Sequence, residues 1–419
     1  MTGENTGMKI LFLHNNYPAQ FGAIGHYLAS EGWEVSFMTQ RAGTKSDVIN
    51  VTVYRDRDQP KEYDVGHPYL QSTGKAVVTG LSALEVANHL KKKQGYTPDV
   101  MVAHSGWGPG LFLKEAWPDT PQVGYFEWYY KGEADDVVFM HGPGRPHFEK
   151  ARERIRNATI MSELISCDAG LVPTAYQASQ FPQIFQPKLR VMHDGVDTES
   201  YKPADPGEVT FGDDKFTKGE EILTYVARGM EPYRGFPEFM NALELLQKRR
   251  PKLRTIIVGE DRTAYGKALK SGKTYKEDAL ERLDLDLSRI TFTGLLPRNE
   301  YRKVIQLSSV HVYFTVPFVL SWSMMEAMST GCLMLASDTA PVRELIKHGE
   351  NGYLTNYQDK ERLADDLEKL LSTKDDHEHI RKAARETITN NYAARDLYPA
   401  KKAFFAEVAA GRQFSRGFV

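Results

Sequence analysis

The stretch Ile222-Leu223-Thr224-Tyr225-Val226-Ala227-Arg228-Gly229-Met230-Glu231-Pro232-Tyr233-Arg234-Gly235-Phe236 decides the fold. Ile222 to Ala227 is a short apolar run of strand type. A turn containing Gly229, Pro232 and Gly235 ends it. Phe236, Phe239, Met240, Leu243 and Leu246 then recur at the spacing of an amphipathic helix. Strand, glycine turn and helix are the repeating unit of a parallel α/β sheet.

The pattern extends in both directions. Downstream, Arg254–Gly259, Ile290–Gly294, Val310–Thr315 and Leu333–Ser337 read as strands, separated by helices such as Arg298–Ser308, and Asp359–Ala410 reads as successive helices. Upstream, Asp194–Gly219 is polar, rich in Gly, Pro and Asp and without periodicity, as in a linker with surface loops. Before it the alternation is already present. Met8–Leu13 reads as a strand, His14–Gly22 as a polar loop, the patterned stretch to Ser30 as a helix and Trp33–Met38 as a strand. Asp99–Ala103, Gln122–Phe126, Ala169–Val172 and Leu189–Met192 follow as strands, with helices at Leu81–Lys93 and Pro146–Ser166. A chain of 419 residues is too long for one core. The predicted domains are 1–200, 201–390 and a C-terminal helical segment, 391–419, that packs back on the first. Two such α/β domains leave a cleft, and ligands of open α/β sheets sit beyond the carboxyl ends of the strands.

Composition removes several classes of function. With 53 basic and 55 acidic residues the formal charge is −2, which makes no case for nucleic-acid binding. The two cysteines, Cys167 and Cys332, lie beside apolar runs and read as buried, reduced thiols. No apolar run approaches the roughly 18 residues of a membrane span, and Met1–Gly7 is polar, so a cytoplasmic location is expected. Lys91-Lys92-Lys93 closes a helix, where positive charge suits the dipole. Arg145 to Arg156 is basic but interleaved with Glu149 and Glu153. It fits a solvated helix face, or a patch for peripheral contact with anionic lipid at the inner face of a membrane. No G-x-G-x-x-G follows either first strand, which disfavours a dinucleotide dehydrogenase.

Two segments carry chemistry in the second half. Arg228 and Arg234 flank a turn at a strand's carboxyl end. They suit phosphate oxygens, or are two solvated surface arginines. Pro317-Phe318-Val319-Leu320-Ser321-Trp322-Ser323-Met324-Met325-Glu326-Ala327-Met328-Ser329-Thr330-Gly331 follows an apolar strand and opens a helix. A helix start exposes backbone N–H groups and a partial positive charge to an anion. Glu326, inside that helix, is either a salt-bridged structural carboxylate or an acceptor for a pair of sugar hydroxyls.

These segments resemble the retaining GT-B glycosyltransferases of family 4, and the resemblance covers nearly the whole chain. Val191-Met192-His193-Asp194-Gly195-Val196-Asp197-Thr198 is similar to the family's pre-linker stretch. Arg228 and Arg234-Gly235 match its donor-diphosphate pair, and Gly294-Leu295-Leu296-Pro297 a loop whose backbone meets the nucleobase. Glu326 to Gly331 matches the second half of its E-x7-E motif, and Gly349-Glu350-Asn351-Gly352-Tyr353-Leu354 its next turn. The resemblance implies a GT-B fold of two Rossmann-like domains, the first for the acceptor and the second for a UDP- or GDP-linked sugar. It implies donor binding by Arg228, Arg234, Leu296, Ser321, Trp322, Ser323, Met324 and Glu326, the last on the ribose hydroxyls. The first Glu of E-x7-E is replaced by Phe318, which accepts no hydrogen bond. Pro317 to Met324 is similar to a bacterial subgroup, so Phe318 marks a variant site.

In the first half, His14–Gly22 resembles the family's loop near the acceptor, with Asn16, Gln20 and Gly22 on it, although an ordinary βα turn fits equally. His104 and Glu127 end two strands. His104 is a structural histidine or a catalytic one, and Glu127 a partner for an arginine or a group that positions the acceptor hydroxyl. Trp107, Trp128, Tyr129 and Tyr130 cluster near these strand ends, for sugar stacking or for the core. The expected activity is transfer of a sugar, with retention, to a saccharide, lipid-linked or protein acceptor in bacterial surface glycan synthesis. No metal or other cofactor is expected. Asp56-Arg57-Asp58 lies far from the donor segments, and arginines take a metal's place, with domain closure completing the site. An epimerase or phosphorylase on the same scaffold and a non-catalytic sugar- or nucleotide-binding subunit are the alternatives.

Overall fold

The computed structural model describes residues 7–56 and 66–411. The first six residues, Arg57 and Asp58 of the Asp-Arg-Asp triplet, and positions 412–419 of the C-terminal segment lie outside the described residues. The chain divides into unit 1, positions 1–194 with 395–419, and unit 2, positions 195–394.

Unit 1 is built on a parallel sheet of β1 (Lys9–Leu13), β2 (Glu34–Thr39), β3 (Asn50–Val53), β4 (Val100–His104), β5 (Gln122–Tyr125), β6 (Ala169–Val172) and β7 (Leu189–Val191), in the order β3-β2-β1-β4-β5-β6-β7. Alternate residues of β1 serve opposite faces. Ile10 and Phe12 enter one core and Leu11 and Leu13 the other, which is why the strand is apolar throughout. Phe404, Phe405 and Val408, from the helix Ala394–Ala409, complete the first of these cores, and Phe405 meets Phe12 edge-on at 6.0 Å. A buried ion pair fixes the same helix. Lys401 Nζ lies 3.1 Å from Asp194, which also accepts the Tyr125 hydroxyl at 2.7 Å. Burial alone would raise the Asp194 carboxyl, but Lys401, His193 and Tyr125 together hold it below its usual range.

Unit 2 carries β10 (Ile222–Gly229), β11 (Arg254–Glu260), β12 (Ile290–Gly294), β13 (Val310–Tyr313), β14 (Met334–Ser337) and β15 (Tyr353–Thr355), all parallel, in the order β12-β11-β10-β13-β14-β15. Before them, β8 (Val209–Phe211) and β9 (Asp214–Phe216) pair antiparallel inside the stretch expected to be linker. Val209 and Phe216 bury themselves with Ile222 and Ile256, and three-residue strands are too short to show a period. The unit boundaries fall at 194/195 and 394/395, against the expected 200 and 390. Val196 exchanges backbone hydrogen bonds with Tyr392 and Ala394, at 2.8 Å each, which ties the 195–201 segment to the end of unit 2.

Other differences are local. Pro146–Ser166 is two helices, His147–Ile155 and Ala158–Ser166, because the buried Asn157 side chain bonds both backbone groups of Tyr130, at 2.9 and 2.7 Å. The helix expected at Leu81–Lys93 runs from Gln71 to Gln94. Cys167 and Cys332 are free and buried, with thiols pushed up to about 11 and about 12 by burial. No helix of the described residues is long and apolar enough to cross a membrane.

In each sheet the strand order reverses direction once, between β1 and β4 in unit 1 and between β10 and β13 in unit 2. The loops after those strands diverge there and leave a crevice at the carboxyl ends.

Candidate functional site

In unit 2, the loops at the reversal carry the arginines and the helix start. Arg228, the penultimate residue of β10, is exposed and makes no hydrogen bond or ion pair among the described residues. Arg234 is only 4% exposed. Gly235, at φ 61°, reverses the chain after it, and a Cβ there would stand 2.7 Å from Phe314 and 2.9 Å from Tyr357. Only glycine lets the chain turn from the arginine into the helix Phe236–Arg249.

The Arg234 guanidinium donates to two hydroxyls, Thr315 Oγ1 at 2.7 Å and Tyr313 at 3.2 Å, and lies 5.2 Å from the Tyr265 ring centroid. No carboxylate pairs with it among the described residues. Glu231, three residues earlier and fully buried, gives its oxygens to the backbone N–H groups of Ala264, Tyr265 and Gly266, at 3.1, 2.9 and 2.6 Å. An arginine stays charged even when buried; its direct partners are hydroxyls and the Glu231 charge reaches it only at longer range, so an anion brought to the guanidinium is favoured.

The anion-facing groups continue into the next loop. Ser321 caps the helix Trp322–Ser329, accepting from Ser323 N–H at 3.4 Å, and its own N–H donates to the Tyr313 hydroxyl at 2.7 Å. One hydroxyl thus joins Arg234 to the helix start. Trp322 is exposed. The side chains of Ser323 and Met324 are buried, Met324 in the core, so Met324 can offer a ligand only its backbone. Glu326 forms no ion pair among the described residues. Burial raises its carboxyl, and Tyr301, Tyr201 and Arg298 act in the opposite sense.

Beside these loops, at the ends of β10 to β12, lies a cavity of about 320 Å³ walled by Met230, Gly259, Asp261, Lys276, Phe292 and Leu295. The Lys276 ammonium sits 4.3 Å over the Phe292 ring. Leu296 turns inward against the cores, and its neighbour Leu295 faces the cavity. The Gly349–Leu354 turn is held by buried Asn351, which bonds Lys347 N–H at 2.8 Å and the Leu345 carbonyl at 2.9 Å. Phe318, at the variant position, packs edge-on against Tyr233 at 5.3 Å and Tyr265 at 5.5 Å.

In unit 1, the ends of β1, β4 and β5 bring together His14, His104, Glu127 and Gln20. His104 Nε2 lies 3.4 Å from Glu127 Oε2 without a well-formed hydrogen bond, and Glu127 Oε1 accepts from Gln20 Nε2 at 2.8 Å. His104 Nδ1 faces the Ser105 carbonyl at 3.0 Å, so that nitrogen carries a proton. The His14 and His104 rings meet edge-on at 4.8 Å, and His14 Nδ1 accepts from Asn16 N–H at 2.8 Å. His14 was not singled out from the sequence, and only its place directly after β1 could have marked it. Asn16 is exposed and joins the cluster through its backbone. Gly22 is buried at the start of the helix Gly22–Ser30, its N–H on the Pro18 carbonyl at 2.8 Å.

The aromatic residues separate. Trp107, 42% exposed, stacks on His104 at 4.1 Å. Trp128 is buried near Tyr176, and Tyr129 and Tyr130 pack against a core, with Arg156 3.6 Å over the Tyr130 ring. In the basic segment, Arg145 pairs with Glu149 at 2.5 Å and Arg156 with Glu153 at 2.7 Å.

The loop bearing Trp107 rests on a buried acid. Glu163 Oε2 accepts from Ser105 Oγ at 2.5 Å and Gly106 N–H at 2.7 Å, while Oε1 has no hydrogen-bond partner among the described residues. Burial pushes its carboxyl up to about 7, against an ordinary 4.5. Between those values the unfolded chain has lost a proton that the folded protein keeps. Stability therefore falls as pH rises from 4.5 to 7, by about 3 kcal/mol from this group, and is flat above. Glu163→Gln imitates the protonated form and keeps an acceptor for both donors. Its denaturation midpoint is expected to match wild type near pH 4.5 and exceed it at pH 8. Parallel pH dependences would rule out this role.

Comparison with known proteins agrees with the two-unit architecture. A model of the glycosyl transferase family 4 group matches residues 31–201, and one of glycosyl transferases group 1 matches residues 209–387. The chain is 28% identical over 178 residues to the putative glycosyltransferase EpsD of Bacillus subtilis, a match covering 42% of this chain and 43% of EpsD. It spans about half the length, or less, of the curated relatives it matches. Among solved structures, sucrose-phosphate synthase from Thermosynechococcus elongatus superposes with a TM-score of 0.71 at 15% identity, over 97% of this chain and 100% of that one. HepE from Anabaena, solved with UDP-glucose, gives 0.67 at 15% identity, over 96% and 100%. The chain thus carries a glycosyl transferase family 4 group domain in its first part and a glycosyl transferases group 1 domain in its second, on a GT-B fold shared with structures that superpose over nearly its full length.

Proposed function

We propose that this chain is a retaining glycosyltransferase that takes a sugar from a nucleoside diphosphate sugar, with unit 2 as the donor domain and unit 1 as the acceptor domain. The observation that carries this reading is Arg234, a buried cation with hydroxyl but no acidic partners, beside a serine-capped helix start. Arg234, Arg228 and the N–H groups around Ser321 to Met324 neutralise the departing diphosphate, taking the part a metal ion plays elsewhere. Glu326, lacking an ion pair, takes the ribose hydroxyls. The cavity at Leu295 takes the base, as UDP or GDP. That HepE was solved with UDP-glucose supports a donor of this class. His104 and Glu127 act at the acceptor hydroxyl or on the positive charge of the oxocarbenium-like transition state, with Asn16, Gln20 and Gly22 on the neighbouring loop. The acceptor is a saccharide, lipid or protein of bacterial surface glycan synthesis, reached in the cytoplasm or at the membrane's inner face.

The test is a thermal-shift panel of UDP, GDP, ADP and their sugars in EDTA. A ligand at about a hundred times its Kd stabilises by about 2.7 kcal/mol. One nucleotide series is expected to raise the melting temperature and then to support transfer. Silence across the panel would sink the donor reading. Binding without transfer or donor hydrolysis would leave a non-catalytic subunit.

A further inference from the structure

Tyr265 occupies a setting unlike that of an ordinary surface tyrosine. The residue is 39% exposed, yet its backbone is clamped by a fully buried carboxylate. Glu231 takes the N–H groups of three consecutive residues, Ala264, Tyr265 and Gly266. A Cβ at Gly266 would stand 3.1 Å from that carboxylate, so the loop lies directly on it. Phe318 backs the Tyr265 ring at 5.5 Å, and Tyr233 lies 6.5 Å from it. The Arg234 guanidinium is 5.2 Å from the ring centroid. Three backbone N–H bonds offset the cost of burying the Glu231 carboxylate and hold the loop in one conformation. What Glu231 fixes is one half-exposed ring next to a buried cation.

We propose that Tyr265, backed by Phe318 and clamped by Glu231, is the platform on which the donor's sugar lies, stacking against the apolar C–H face of the pyranose. The assignment, which rests on Arg234 as the diphosphate ligand, follows from connectivity. The sugar is bonded to the phosphate that the guanidinium holds, so it falls within reach of the adjoining ring. Aromatic faces complement the C–H face of a sugar without a directed hydrogen bond. Phe318 adds no acceptor, so the contact at this edge is apolar where a carboxylate would have bonded hydroxyls.

The experiment compares, by calorimetry in EDTA, the Kd of the nucleotide sugar with that of its nucleoside diphosphate. The probes are UDP with UDP-glucose and UDP-N-acetylglucosamine, and GDP with GDP-mannose. In Tyr265→Ala, the Kd of the sugar-bearing ligand is expected to rise about tenfold, while that of the bare diphosphate changes less than threefold. Tyr265→Phe, which keeps the ring and loses only the hydroxyl beside Arg234, is expected to keep the wild-type ratio of the two Kd values. An unchanged ratio in Tyr265→Ala would overturn the platform while leaving the donor reading intact. So would equal loss of both ligands, which would assign the ring to the diphosphate alone. Failure of wild type to bind any of these nucleotides would overturn the donor reading and the platform together.

Discussion

Arg234→Met is expected to abolish nucleoside diphosphate binding in a protein about as stable as wild type. Charge-assisted bonds to a buried phosphate, together with the cost of leaving that phosphate unpaired, amount to about 3–4 kcal/mol, or two to three orders of magnitude in Kd. The effect on stability has the opposite tendency. Arg234 is buried against the hydroxyls of Tyr313 and Thr315 and beside Tyr265, with no ion pair among the described residues, and a well-packed apolar side chain in place of a desolvated charge is often neutral or stabilising. The two hydroxyls that lose their donor offset part of that gain. Arg228→Met, at an exposed position, should weaken binding by only about tenfold, with stability within about 0.5 kcal/mol of wild type. Calorimetry with UDP and GDP and a urea melt measure both quantities. An Arg234→Met protein that unfolds far below wild type, or one that binds normally, would assign the residue to the fold rather than to the ligand.

Glu127→Gln should reduce transfer by about a thousandfold and leave donor affinity unchanged. The residue lies in unit 1, whereas the proposed donor ligands lie in unit 2. Its carboxylate faces His104 Nε2 at 3.4 Å and is fixed by Gln20 at 2.8 Å. Groups that act on the proton or charge of a transition state contribute about 10²–10⁴ in rate. Glutamine keeps the shape and an acceptor but removes the negative charge beside the imidazole. Steady-state kcat and KM, with Kd for the nucleotide measured separately, distinguish the cases. A kcat within a fewfold of wild type would make Glu127 a structural partner of His104.

What could be read from the sequence is what depends on near neighbours. The apolar run of β10, its glycine turn and its helix form one contiguous stretch, and the strand-by-strand alternation follows from the same rule. The candidate residues at strand ends were legible for that reason: Arg228, Arg234, Ser321, His104 and Glu127 stand directly at the carboxyl ends of strands or in the loops that follow them. The sequence could not tell the exposed Arg228 from the buried Arg234, because burial is decided by Tyr313 and Thr315, some 80 positions on. Glu231 looked like a turn residue, and only the fold brings residues 264–266 onto it. Glu163 and the Ser105 loop are likewise more than 50 positions apart. Leu295 and Leu296 are chemically identical, and which one faces the cavity depends on the path of the chain after β12.

The buried pair Lys401–Asp194, and Phe405 against Phe12, have a consequence for biosynthesis. Positions 195–394 form a continuous block that can fold as soon as it leaves the ribosome. All seven strands of the first sheet are made by position 191, but the core on one face of β1 is not covered until the helix carrying Lys401 and Phe405 has emerged, nearly the whole chain later. At about 5–20 residues per second, β1 waits on the order of tens of seconds for the ring that covers Phe12. The first unit to be translated is therefore the last to close, and during that interval it is the part of the nascent chain most in need of a chaperone.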